Sequence, residues 1–241
     1  MKSRLSLLLF LLPLLAACGP GDKPAAAPAA TPPAMPAVAA PGPAANSETP
    51  AAAPIAGTDY FELPQGAPYA PLDGQVEVAE VFGYVCVHCA NFEPSLVAWK
   101  KTLPAGVRFS PVPAAFGGPW DTYARAFYAA EALGIREQSH QALFDALHVQ
   151  HSLAPTSTLQ QIGAFYAQYG VDAQRFVATM QDAAVSAKVA AARQFAERSR
   201  VEGTPSLIID GKYLVPVDER GYDHMLRTAG ALVAQRQAVP K

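Results

Sequence analysis

Beyond residue 58 the apolar positions change period in a definite order. Tyr60-Phe61-Glu62-Leu63 reads as a short opening strand. Gln75 to Tyr84 (QVEVAEVFGY) alternates well enough for a strand set into a core. Ala90 to Leu103 suits a helix, interrupted by Pro94, which is expected to kink it. Val107 to Val112 reads as a second core strand. The spacing then becomes helical: Tyr123/Phe127, Leu143/Leu147, Ile162/Tyr166/Tyr169, Phe176/Met180 and Val185/Val189 predict a helical block over about 118–187. Strand character returns at Pro205 to Ile209, and Asp210-Gly211 is a hairpin signal. Lys212 to Val217 should pair back, and 219–236 should form a closing helix. No internal repeat is visible.

The residues before this pattern are of another kind. Lys2 and Arg4 precede an apolar stretch from Leu5 to Leu15, broken only by Ser6 and Pro13, so 1–17 read as an export signal. Leu15-Ala16-Ala17-Cys18 resembles the bacterial lipobox, which implies cleavage before Cys18 and acylation of its sulfur and new amine. Several acyl chains anchor stably where one would not. Gly19 follows Cys18 where Asp would be the inner-membrane signal, which implies the outer membrane. Residues 18–57 read as a disordered tether: of the 39 residues 19–57, 15 are Ala and 10 are Pro, with no aromatic residue. Such a segment buries too little apolar surface to offset its ordering entropy, and its prolines interrupt any Ala helix.

Composition narrows the function. With Lys+Arg 18 against Asp+Glu 20, the net charge is −2, and it becomes −4 once Lys2 and Arg4 are removed. That argues against a nucleic-acid partner. No apolar run reaches the roughly 18 residues of a membrane-spanning helix. Three cysteines exclude a disulfide-stapled scaffold and a four-cysteine zinc site. Residues 58–241 suit one domain.

Two of those cysteines form Cys86-Val87-His88-Cys89, after a core strand and at the start of a helix. Sulfurs three positions apart on a first helical turn can close a small disulfide ring. The helix N-terminus favours a thiolate on the first sulfur, which makes Cys86 the attacking group and Cys89 the buried resolving one. A haem site would need His at position 90, where Ala90 stands. A zinc site lacks further ligands, His148 and His151 being a bare pair on a polar helix end. A purely structural disulfide in so tight a ring would be unusual. No metal and no cofactor is expected.

The order strand, helix, strand, helical block, hairpin, helix resembles an α/β thioredoxin fold with an inserted helical domain. The run from Glu80 to Glu93 (EVFGYVCVHCANFE) resembles the active-site segment of the DsbA family of periplasmic thiol:disulfide oxidoreductases. The resemblance implies a redox disulfide between Cys86 and Cys89, with His88 stabilising the thiolate. It implies that Glu80 is the buried acid associated with proton transfer to the resolving thiol, and that Thr204-Pro205 is the cis-proline loop facing the pair and binding substrate. Glu93 reads as a solvated helix charge. Val87 and Thr204 depart from the family's commoner Pro and Val, which bears on oxidising strength rather than reaction class. The implied partners are reduced exported proteins and a DsbB-like quinone-linked membrane oxidase, with the chain acting as a monomer. A reductase or isomerase, and a redox-inactive thioredoxin-like binding module, are the alternatives.

Overall fold

A computed structural model describes residues 53–238, all within the unit Pro50–Lys241. The signal read at 1–17, the lipobox Cys18 and most of the tether read at 18–57 lie outside the described residues.

Strands β1 (Phe61–Glu62), β2 (Val76–Phe82), β3 (Val107–Pro113), β4 (Ser206–Ile209) and β5 (Tyr213–Pro216) form one sheet in the order β1-β5-β4-β2-β3. β2 and β3 are parallel, with Val76 opposite Val107 and Phe82 opposite Pro113. Parallel neighbours require a crossover, and α1 (Val87–Lys100) provides it. The other pairings are antiparallel. Asp210 and Gly211, both with positive φ (52° and 64°), make the tight β4–β5 turn. A Cβ on Gly211 would lie 2.1 Å from the Ala67 carbonyl carbon, so the loop packed on this turn demands glycine.

All seven residues of β2 are buried, because the strand is interior, between β4 and β3, and both sheet faces are covered. The two-residue period divides them. Val76 and Val78 join Leu207, Ile209 and Val215 against Phe92 and Leu96 of α1 and Met225, Leu226 and Leu232 of α7 (Gly221–Ala238). Ala79 and Val81, with Ile208 and Leu214, face the helical block. That block comprises α2 (Pro119–Ala132), α3 (Arg136–His148), α4 (Leu159–Tyr166), α5 (Ala173–Met180) and α6 (Ala183–Arg198), inserted between β3 and β4. The α/β thioredoxin fold with a helical insertion is therefore the observed architecture.

Most element boundaries shift from the sequence reading, and two of the shifts have a clear cause. α1 begins at Val87, ahead of the expected Ala90, because Cys86 itself caps it. α6 runs on to Arg198, its last turns held by the buried Ala192, Phe195 and Ala196.

Candidate active site

The turn from β2 into α1 is tightly held. The Cys86 amide donates to the Gly83 carbonyl at 3.0 Å. Gly83 is pressed by the Trp120 ring, which a Cβ at that position would approach to 2.2 Å. Cys86 keeps an extended conformation (φ −89°, ψ 113°), and its sulfur accepts the Cys89 amide at 3.3 Å. Ser, Thr, Asp or Asn ordinarily takes this capping position. A sulfur there receives the orphan N–H groups of the first turn and faces the positive end of the helix dipole. No acidic residue lies in that first turn to oppose it.

The two thiols, both free in this structure, diverge sharply. A hydrogen bond from the Cys89 thiol is the largest influence on Cys86 and favours its thiolate. Burial opposes this, while the Thr204 side chain and the backbone N–H groups of Cys89 and His88 add to it. The result lowers Cys86 from 9.0 to about 5. Burial pushes the Cys89 thiol far up, reinforced by the proton it shares with Cys86 and by the Cys86 and Glu80 charges. One sulfur is thus poised as an anion and the other as its proton donor. Cys86 retains only 9% of its surface, and Cys89 1%.

His88 acts on Cys86 here through its backbone N–H, while the residue itself is exposed. Its carbonyl accepts the Tyr222 hydroxyl at 2.9 Å, which fastens the first turn of α7 to the first turn of α1. Thr204-Pro205 is a cis peptide, and the Thr204 carbonyl lies 3.5 Å from the Cys86 sulfur. Beside it opens a groove of about 830 Å³, lined among others by Phe61, Arg200, Glu202, Thr204, Pro205 and Val217.

Beneath the sulfurs lie two carboxyl groups. Glu80 is 2% exposed, on the β2 face that meets α1. Burial, then the Glu93 charge, hold it well above the ordinary carboxyl range; Lys100 opposes this, and Cys86 adds to it. Glu93 is also buried, at 3%, which corrects its reading as a solvated charge: it stands one turn after Cys89 on the inward face of α1. Lys100 Nζ lies 3.9 Å from its Oε1, and His140 Nε2 3.7 Å from its Oε2. His140 Nδ1 in turn meets the Tyr84 hydroxyl at 2.6 Å, and His148 Nε2 donates to the Tyr84 carbonyl at 2.7 Å. Two histidines of α3 therefore grip the residue two before Cys86. His148, read as part of a polar helix end, is one of them; Tyr84 entered the sequence reading only as the end of the strand from Gln75 and within the run Glu80 to Glu93, and His140 carried no signal.

Glu77, three residues before Glu80 and on the opposite face, is fully buried. It accepts from the Tyr69 and Ala70 amides, Arg108 and Ser110. Among the described residues no cluster of His, Cys, Asp and Glu is arranged to hold a metal, and no helix is long and apolar enough to cross a membrane.

Comparison with known proteins gives a consistent result. The model of the DSBA-like thioredoxin domain family matches residues 99–226. The thiol:disulfide interchange protein DsbA of Pseudomonas aeruginosa is 34% identical over 187 residues, 77% of this chain and 87% of the relative. Its counterpart from Pseudomonas syringae pv. tomato is 34% identical over 193 residues, 79% and 89% of the two chains. The crystal structure of the oxidoreductase DsbA from Xylella fastidiosa superposes with a TM-score of 0.74 at 42% identity, covering 77% of this chain and 99% of that one.

Proposed function

Since the chain belongs to the DsbA-like thioredoxin domain family and is a thiol:disulfide oxidoreductase, we propose that it runs as an oxidase, introducing disulfides into exported proteins through Cys86 and Cys89. A substrate thiolate attacks the Cys86 sulfur of the Cys86–Cys89 disulfide, and Cys89 leaves. The substrate's second thiol attacks the mixed disulfide at its own sulfur. Cys86 departs as a thiolate, leaving the substrate oxidised and the protein reduced. The substrate polypeptide lies along Thr204-Pro205 and the groove beside it. Glu80 supplies the proton that Cys89 needs on leaving. His88 contributes its backbone N–H to the Cys86 sulfur.

The observation that carries this direction is the stabilised Cys86 thiolate. Each pKa unit by which it falls below ambient pH favours the reduced form by about 1.4 kcal/mol, or roughly 30 mV. Equilibration with glutathione tests it. The expected potential is less negative than about −180 mV, on the oxidising side of protein disulfide isomerase. A value near thioredoxin's, about −270 mV, would make the protein a reductase instead.

The location follows from the N-terminal sequence. The protein works in the periplasm as a monomer, tethered to a membrane, the outer one, through acylated Cys18 and the Ala/Pro segment that follows. A DsbB-like quinone-linked membrane oxidase restores its disulfide.

A further inference from the structure

Cys89 and the carboxyl groups below it are sealed from water, yet each turnover must bring a proton to Cys89 or take one away. Glu80 and Glu93 are 2% and 3% exposed. Only two side chains approach this carboxyl pair as ion-pair partners among the described residues, both at Glu93, and both reach solvent: Lys100, with 30% of its side chain exposed, and His140, with 17%. Lysine is a compact point charge that serves here as a counter-ion; imidazole has two nitrogens and can take up a proton at one moment and release it at the next. The Tyr84 hydroxyl, 2.6 Å from Nδ1, fixes the ring so that Nε2 points at Glu93 Oε2. The rings of Phe82, Phe127 and Phe144 pack around it and allow few alternative orientations.

We infer that His140 is the solvent end of a proton path that runs through Glu93 and Glu80 to Cys89. The inference rests on the reading of Cys89 as the resolving thiol and holds for either net direction of exchange. When a substrate thiolate opens the disulfide, the Cys86–Cys89 bond breaks and Cys89 leaves as a thiolate. Glu80 gives it a proton, Glu93 gives one to Glu80, His140 gives one to Glu93, and solvent restores His140. Re-oxidation drives the same proton outward. The charged or titratable groups facing His140 are Glu93 from α1, Tyr84 from the active-site turn, and Arg136 and Glu137 one turn earlier on α3; its neighbours from β2 and α2 are apolar. His140 touches neither sulfur, so it acts through the carboxyl groups.

The test follows re-oxidation of the reduced full-length protein by glutathione disulfide. Closure of the Cys86–glutathione mixed disulfide by Cys89 is resolved by rapid acid quench. His140→Ala should slow closure by about 10²-fold, the lower end of what a positioned proton-transfer group provides. Free imidazole should restore most of that loss, and the glutathione equilibrium should move less than about threefold. His140→Gln, which retains bulk and polarity, should be as slow as His140→Ala and guards against a folding defect in the alanine variant. Closure at the wild-type rate in both variants would overturn the path, as would a slow closure in His140→Ala that imidazole does not relieve. Failure of the oxidase reading would appear separately, as a reductase-like equilibrium in the wild type with the rate effects intact.

Discussion

At the residue scale the decisive contrast is between two sulfurs on one helical turn. Cys86 lies at about 5 and Cys89 far above the free-thiol value because one receives hydrogen bonds and the other is buried behind it. Linkage turns this into a stability difference with a definite sign. The folded Cys86 value is below its unfolded one, so Cys86 contributes stability to the reduced protein that is complete above about 9 and is lost as pH falls through about 5, while the buried Cys89 thiol works the other way above about 9. Denaturant unfolding from pH 9 to pH 4 should show the reduced form more stable than the oxidised form, with the gap closing toward acid. Thiolate absorbance near 240 nm should titrate with a midpoint near 5, well under the free-thiol value of about 8.5. Removing one sulfur at a time should separate their roles. Cys86→Ala should abolish exchange. Cys89→Ala should accumulate mixed disulfides with substrate proteins, visible as adducts on non-reducing gels. Trapping by the Cys86 variant instead would reverse the assignment.

At the element scale β2 carries both the fold and the site. Its alternation sends Glu80 to the α1 side and Glu77 to the helical block, and each is an acidic side chain where an apolar residue would pack. Glu77 is fully paired, with two amides, a guanidinium and a hydroxyl around it. Glu77→Ala would strand Arg108 and release the loop at Tyr69 and Ala70, and is expected to cost about 3 kcal/mol, measured by urea unfolding. The succession of strands and helices along the chain, the hairpin turn and the helical block were all legible in the sequence, because periodicity and the Asp210-Gly211 signal are local; the β1-β5-β4-β2-β3 order of the sheet was not, because it rests on pairings between distant segments. The closeness of Cys86 and Cys89 was legible too, since three positions on one helical turn bring the two side chains together. The start of α1 was legible from the cysteine spacing, which puts Cys86 at the helix N-terminus, and not from periodicity, which begins only at Ala90. The burial of Glu93 was missed because a charge on a helix is ordinarily solvated, and only the position of β2 and α3 around α1 makes that face internal. His140 and Tyr84 meet across 56 residues of chain, and a contact of that span leaves no trace in local pattern.

At the scale of the whole molecule the inserted helices do more than enlarge the core. α3 supplies His140 and His148 to the active-site turn, so the insertion holds the residue two before Cys86 at both its hydroxyl and its carbonyl. The N-terminal sequence adds a claim about where this assembly works. Metabolic labelling with palmitate should mark the wild type and leave Cys18→Ser unmarked; equal labelling of both would remove the anchor. One contact made by the closing helix also gives the molecule a built-in gauge. The hydroxyl of Tyr222 rests on the His88 carbonyl, and burial, then the Cys89 and Cys86 charges, hold its phenol above 10.0. Near that pH Cys86 is the anionic sulfur and Cys89 keeps its proton, so when the sulfurs join it is the Cys86 charge that vanishes, and the phenol should ionise at lower pH. An alkaline difference spectrum at the tyrosinate band, absent in Tyr222→Phe, would then read the oxidation state of the pair without any added dye.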